Sequence, residues 1–175
     1  MKPLRRLVAV RHAKAVRRAG IEDPVRPLTA NGRKDAEALG RWLYGGNWLP
    51  DLVLCSPARR AHETWELIAS RLGSPPPVVD ERRVYRAGPA ELLALTRQVP
   101  PHVGTLAVVG HNPGVRELVL ALAGDGEGGA LRRVRAAVPT ASAAVLTWRG
   151  DWEMLGAGST LLSEFVVGHE LRPRR

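Results

Sequence analysis

Twice in this chain of 175 residues a short apolar run leads to a histidine: Leu7-Val8-Ala9-Val10 into Arg11-His12, and Thr105 to Gly110 into His111-Asn112-Pro113-Gly114. A third apolar run, Asp51 to Cys55, leads into Ser56-Pro57-Ala58-Arg59-Arg60. These residue types suit phosphoryl chemistry. An imidazole nitrogen can attack phosphorus and hold the group as a phosphoramidate. It must be unprotonated to do so, so the other ring nitrogen has to give its proton to a neighbouring acceptor. Guanidinium forks match the oxygens of phosphate. A lone histidine at a strand end is first read as a hydrogen-bonded structural residue. Two histidines and two or more arginines at three strand ends make His12 a candidate nucleophile.

The three runs read as buried strands. If they are parallel, their ends share one rim, and ligands of open α/β sheets bind beyond the carboxyl ends of the strands. Ser56-Pro57 and Asn112-Pro113 each read as a helix N-cap followed by proline at the first helical position. Helix amino ends favour anions, and Arg60 would fall in the first turn of its helix.

The remaining pattern supplies the elements around that rim. Ala36, Leu39, Gly40 and Leu43 have helical spacing, with Gly45-Gly46 as a stop. Ala61, Trp65, Ile68 and Leu72 mark a second helix that Gly73 ends, and Val78-Val79 reads as a short strand. Glu91 to Val99 reads as a helix that stops before Pro100-Pro101. Val115, Leu118, Val119 and Leu122 line another helix, and Asp125 to Gly129 reads as a flexible loop. Ala143 to Trp148 and Trp152 to Leu155 flank Arg149-Gly150-Asp151 as a hairpin, and Glu164 to Val167 reads as a last strand or part of a C-terminal arm. The alternation predicts one domain over residues 1–175: a three-layer α/β/α sandwich with a mainly parallel sheet and an antiparallel edge.

Composition removes several function classes. Hydrophobic residues are 45% and charged residues 25%, an ordinary globular balance. The single cysteine, Cys55, excludes an internal disulfide framework and a Cys-rich zinc site. Arg60 follows Cys55 by five positions, one short of a Cys-x5-Arg phosphate loop. No apolar stretch approaches the ~20 residues that span a bilayer, and none has the pattern of a secretion signal, so a soluble cytoplasmic protein is expected, with no membrane partner. The net charge of +9 comes from 26 Lys+Arg against 17 Asp+Glu. The arginines are spread along the chain; the nearest clusters are Arg132, Arg133 and Arg135, and the tail Arg172, Arg174 and Arg175. The five tryptophans are not interleaved with basic stripes, so no nucleic-acid partner is expected. Lys14, Arg17 and Arg18 read either as a solvated loop, as a widening of the phosphate site, or as a basic face for an acidic partner. His62, His102 and His169 form no metal-ligand spacing, so no metal and no cofactor are expected.

Four ordered segments resemble the histidine phosphatase superfamily, which also holds the cofactor-dependent phosphoglycerate mutases. They are Arg11-His12, Arg26-Pro27-Leu28-Thr29-Ala30-Asn31-Gly32, Ser56 to Thr64, and Gly110-His111. The compact SixA-like subgroup is the most similar, through Arg11-His12-Ala13-Lys14-Ala15, Val84-Tyr85-Arg86-Ala87 and Gly110 to Gly114. The resemblance implies a phosphoglycerate mutase-like fold without a helical cap, and a phosphatase working through phospho-His12. Arg11, Arg60 (rather than Arg59) and His111 would surround the phosphoryl oxygens. It implies a phosphorylated substrate, first a phosphohistidine-bearing signalling protein. The alternatives are a small phosphate monoester, or a non-catalytic module that holds a phosphorylated ligand. Many family members use a carboxylic acid for the leaving group; Glu81 and Asp23 are the two candidates, and each taken singly reads first as a solvated surface carboxylate. A phosphoramidate leaving group relies less on such an acid.

Overall fold

The computed structural model of the protein describes residues 1–173, so Arg174 and Arg175 of the basic tail lie outside the described residues. The strands are β1 (Leu4–Arg11), β2 (Leu52–Cys55), β3 (Val78–Asp80), β4 (Thr105–Gly110), β5 (Ala123–Gly126), β6 (Ser142–Arg149) and β7 (Thr160–Val167). The helices are α1 (Ala30–Gly45), α2 (Arg59–Ala69), α3 (Pro89–Arg97), α4 (Gly114–Leu122) and α5 (Ala130–Ala136). All seven strands form one sheet in the order β3-β2-β4-β1-β6-β7-β5. β3, β2, β4 and β1 are mutually parallel; β6 runs antiparallel to both β1 and β7.

Side chains of a strand alternate between faces, and β1 shows what that does to the core. Leu7 and Ala9 join one buried cluster with Leu92, Leu118 and Val134 of α3, α4 and α5. Val8 and Val10 join the other, with Leu39, Leu43, Trp65 and Ile68 of α1 and α2. A strand buried on both faces reads as a continuous apolar run, as the central parallel strands here do. The result is the three-layer α/β/α arrangement with a mainly parallel sheet.

The elements depart from sequence expectation mostly beyond β4. The run Trp152 to Leu155 is not a strand: Trp152–Met154 is a 3₁₀ turn, and the partner of β6 is β7. Trp152 and Leu155 are both buried, and their spacing of three is one helical turn rather than a strand alternation. Asp125 to Gly129 is not simply a loop: its start belongs to β5, and Glu127–Gly129 is another 3₁₀ turn. α5 was not visible in the apolar pattern, because its seven residues bury only Ala130 and Val134. The two proline helices also start later than the cap pattern suggests. α2 begins at Arg59 and α4 at Gly114, and neither Ser56 nor Asn112 is the N-cap residue.

Candidate active site

β1, β2 and β4 run in register and in one direction, so the segments that follow them emerge together. His12 continues β1, its backbone N–H donating to the Gly110 carbonyl at the end of β4. The structure brings His12, Arg60, His111, Asp23 and Tyr85 into one hydrogen-bonded cluster, with Arg11 beside it.

His12 is 8% exposed. Its Nδ1 lies 2.7 Å from the Ala13 carbonyl oxygen. A carbonyl can only accept, so Nδ1 carries the proton. Nε2 is then the bare nitrogen, and it faces a donor, Nε of Arg60, at 3.3 Å. Burial pushes the ring's pKa down to about 3, and the nearby His111, Arg60 and Arg11 act in the same direction, while the Ala13 bond opposes it. The ring is therefore neutral at pH 7. The acceptor that sequence reasoning required is a backbone oxygen, which no residue type announces.

His111 is set the opposite way round. Its Nδ1 accepts from the Arg60 guanidinium at 3.3 Å, so Nε2 holds the proton and donates to Ser56 Oγ at 2.7 Å. Burial, then Arg60, lowers its pKa to about 4. The two imidazole rings are 5.1 Å apart. Ser56, fully buried, thus orients a histidine instead of capping a helix.

Arg60 is 5% exposed and uses every arm of its guanidinium. Beyond the two imidazoles, it donates to the Asp23 carbonyl at 2.7 Å and to Asp23 Oδ2 at 3.1 Å. Asp23 also accepts from the Tyr85 hydroxyl and from Nε and Nη2 of Arg26, at 3.0 and 2.8 Å. The Tyr85 bond first, then Arg26 and Arg60, hold its carboxyl well below the usual carboxylate range. Asp23 is thus at the site but ionised. Glu81 is not in the cluster. Its carboxylate accepts from the backbone N–H of Arg83 at 3.0 Å and from the Arg83 guanidinium at 2.9 and 2.8 Å, which lowers its pKa. Arg11 donates to the Val138 carbonyl at 2.8 Å, and burial, then Arg17, lowers its pKa.

The scaffold behind the cluster includes residues whose roles sequence reasoning missed. Thr64, fully buried one turn along α2 from Arg60, donates to the Arg60 carbonyl at 2.6 Å and accepts from the Ala13 N–H at 2.9 Å. It ties the loop after β1 to the start of α2. Glu63 accepts from the Leu28 N–H at 2.8 Å. Gly32 explains its own motif: a Cβ there would lie 2.2 Å from the Lys14 carbonyl oxygen, so only glycine lets α1 approach the loop after β1. Tyr85 belongs to a sequence motif, but its contact with Asp23 depends on the fold. Its ring also meets His111 edge-on at 5.6 Å.

Two clefts open on the cluster. One, of about 510 Å³, is walled by His12 with Arg11, Lys14, Arg17 and Arg26. The other, of about 390 Å³, is walled by Arg60, Asp23, Tyr85 and His111. Among the described residues no group of three or more His, Cys, Asp or Glu is placed to hold a metal ion. Burial pushes the Cys55 thiol up to about 12, which keeps it unreactive at neutral pH. No helix among the described residues is long and apolar enough to cross a membrane.

Comparison with known proteins agrees with this geometry. The profile of the histidine phosphatase superfamily (branch 1) matches residues 7–91. The chain is 31% identical over 115 residues to the phosphohistidine phosphatase SixA of Escherichia coli strain K12, a match covering 65% of this chain and 71% of that protein. An uncharacterised protein of Mycobacterium tuberculosis is 35% identical over 160 residues, covering 90% and 99%. A Nakamurella multipartitia structure provisionally assigned as SixA superposes with a TM-score of 0.81 at 31% identity, covering 93% and 95% of the two chains. A protein histidine phosphatase SixA complexed with tungstate superposes with a TM-score of 0.71 at 27% identity, covering 95% and 99%. The chain belongs to the histidine phosphatase superfamily, among its SixA-like phosphatases.

Proposed function

We propose that the protein is a phosphohistidine phosphatase that works through phospho-His12. The observation that carries this reading is the state of His12: neutral, with its Nδ1 proton given to Ala13 and its bare Nε2 turned towards Arg60. In the proposed reaction Nε2 attacks phosphorus in line with the substrate's N–P bond. That bond breaks, and its electron pair leaves with the substrate imidazole, which is protonated. Water then attacks phospho-His12; the pair of the second N–P bond returns to Nε2, and phosphate departs. Each transition state spreads negative charge over the phosphoryl oxygens. Arg11, Arg60 and His111 would meet that charge in a site already arranged for it. A bound dianion favours the charged imidazole, so it raises the depressed pKa of His111 and lets this ring donate to the phosphoryl group. No step needs a metal.

The carboxylates support the choice of substrate. Asp23 and Glu81 are both held ionised by arginines, Asp23 with Tyr85 as well, so neither offers a proton to a poor leaving group. An imidazole leaves well once protonated and asks less of the enzyme than an alkoxide. The test is a panel of kcat/KM values for a phosphohistidine protein against aryl and sugar phosphates, without added metal. The phosphohistidine protein is expected to lead. His12→Ala should lose at least ~10³-fold of the activity, and an acid-labile phosphoenzyme should be trapped in the wild type alone. Full activity in His12→Ala would remove the nucleophile; a higher kcat/KM for small esters would replace the substrate.

A further inference from the structure

We infer that the 510 Å³ cleft beside His12 is a recognition subsite for a carboxylate side chain that flanks the phosphorylated residue of a protein substrate. This rests on the phosphohistidine reading above and adds to it a rule for which phosphoproteins are accepted.

The charge balance of the cleft points to an anion. Arg11, Lys14, Arg17 and Arg26 line it, with Thr29 and Thr140, and no carboxylate does. Arg26 alone of the four has an ion-pair partner, Asp23; among the described residues Arg11, Lys14 and Arg17 have none. Like charges gathered on one wall repel, and the repulsion is felt by Arg11, whose guanidinium is disfavoured by Arg17 as well as by burial. An arriving anion relieves this cost.

The loop that carries these cations is fixed before any partner arrives. The Val16 N–H donates to the Pro27 carbonyl and the Thr29 N–H to the Lys14 carbonyl, each at 2.8 Å. Ala15 pairs with Leu28 as an isolated antiparallel bridge. Arg26 Nη1 reaches the Val16 carbonyl at 3.3 Å. The backbone is therefore anchored on both sides of Lys14, while the Lys14 and Arg17 side chains stay exposed.

Exposure decides what kind of anion is served. Exposed cations hold a small ion weakly, because water and salt screen them. They gain weight when a partner surface covers them and excludes water. His12 stands on the same wall, so a carboxylate within side-chain reach of the transferred phosphoryl group would meet the cleft in the same encounter. An acidic residue beside the phosphohistidine meets both conditions.

The test uses two phosphohistidine peptides, identical except for Asp or Asn at the positions flanking the phosphorylated residue. The wild type is expected to favour the Asp peptide roughly tenfold in kcat/KM, the sum of a few exposed ion pairs. The preference should shrink at high salt. In the double variant Lys14→Ala/Arg17→Ala the ratio should fall to about one, with the thermal midpoint checked to show that the chain still folds. Arg41→Ala, which removes an exposed arginine of α1 outside this cleft, should keep the ratio. A wild-type ratio of one, or a preference that survives the double variant, overturns the subsite alone. Turnover of an aryl phosphate with no turnover of either peptide overturns the subsite together with the phosphohistidine reading.

Discussion

The two ends of the parallel strands each bury an arginine, and they use it differently. At the amino end Arg5, 6% exposed, donates to the Val103 and Pro101 carbonyls at 2.6 and 2.7 Å. Trp152 donates to the same Val103 oxygen at 2.8 Å, and Asp51 accepts from the N–H groups of Gly104 and Thr105. At the carboxyl end Arg60, 5% exposed, is held by two imidazole nitrogens, a carboxylate and one carbonyl. Backbone oxygens at the first end have no other conformation to adopt without unfolding the chain. Side chains can change rotamer, so under the proposed function the partners at the second end yield to a phosphoryl group.

The comparison is broken most directly from the amino end. Trp152 is 2% exposed and packs edge-on against Trp148 at 4.8 Å. Trp152→Ala should cost about 3–5 kcal/mol of stability, read by denaturant titration. The kcat per folded molecule should stay at the wild-type value. A large fall in kcat with little loss of stability would show that the two ends are coupled.

At the carboxyl end a smaller change in volume should act on rate. Gly32→Ala would place a methyl 2.2 Å from the Lys14 carbonyl oxygen, backbone that cannot simply rotate away. The loop after β1 must shift, and with it the Ala13 carbonyl that orients His12. Overpacking of this kind costs about 1–3 kcal/mol, and a displacement near 1 Å at a reacting group costs ~10²-fold. The variant should therefore melt only modestly earlier but lose on the order of 10²-fold in kcat. Wild-type kcat in a folded Gly32→Ala chain would show that the loop does not position the nucleophile.

These two positions also show what a sequence can and cannot disclose. The carboxyl-end cluster is legible because Arg11 ends, and His12, Arg60 and His111 follow, strongly apolar parallel strands. Strand direction then does the assembling. Ser56, Thr64 and Tyr85 were in view as motif letters, yet their work is done across long chain separations: Tyr85 meets Asp23, and Thr64 meets Ala13. The region beyond β4 was read less well for a physical reason. Trp152 and Leu155 bury themselves from a single turn, and α5 has too few buried positions to show a period. Backbone acceptors, such as the Ala13 carbonyl under His12 and Val103 under Arg5, carry no residue signature at all.

Acid should also distinguish the ends. His12 and His111 titrate at about 3 and about 4 in the folded chain, against 6.5 for the ordinary ring. Well above pH 6.5 both rings are neutral folded or unfolded, and they do not make stability depend on pH. As pH falls below 6.5 the unfolded chain takes up protons that the folded chain refuses, so stability declines towards pH 4 and levels off below the folded values. Urea unfolding of the wild type should show this decline, and His12→Asn/His111→Asn should flatten it. Ring carbon chemical shifts should show both residues still neutral at pH 5.5. A His12 ring found protonated there would contradict the burial that keeps its Nε2 bare.

The smallest effect is expected at Glu81, and its smallness is informative. Glu81 follows β3, and the resemblance to the histidine phosphatase superfamily makes it a candidate acid. Both of its carboxylate oxygens are engaged by Arg83, and that engagement lowers its pKa. A carboxylate ionised at neutral pH has no proton to give. Asp23 is also ionised, but it bridges Arg60, Arg26 and Tyr85, so changing it disturbs the cluster around Arg60 itself. Glu81→Gln should therefore leave kcat/KM within about twofold for both a phosphohistidine peptide and an aryl phosphate, because general acid catalysis, where it operates, is worth ~10²–10⁴-fold. The aryl ester is the sharper probe, since its leaving group gains more from a donated proton. A loss of that size on the ester alone would mean that Glu81 leaves Arg83 and swings into the site during turnover. It would place a carboxylic acid in the site, and it would open the substrate range to phosphate esters.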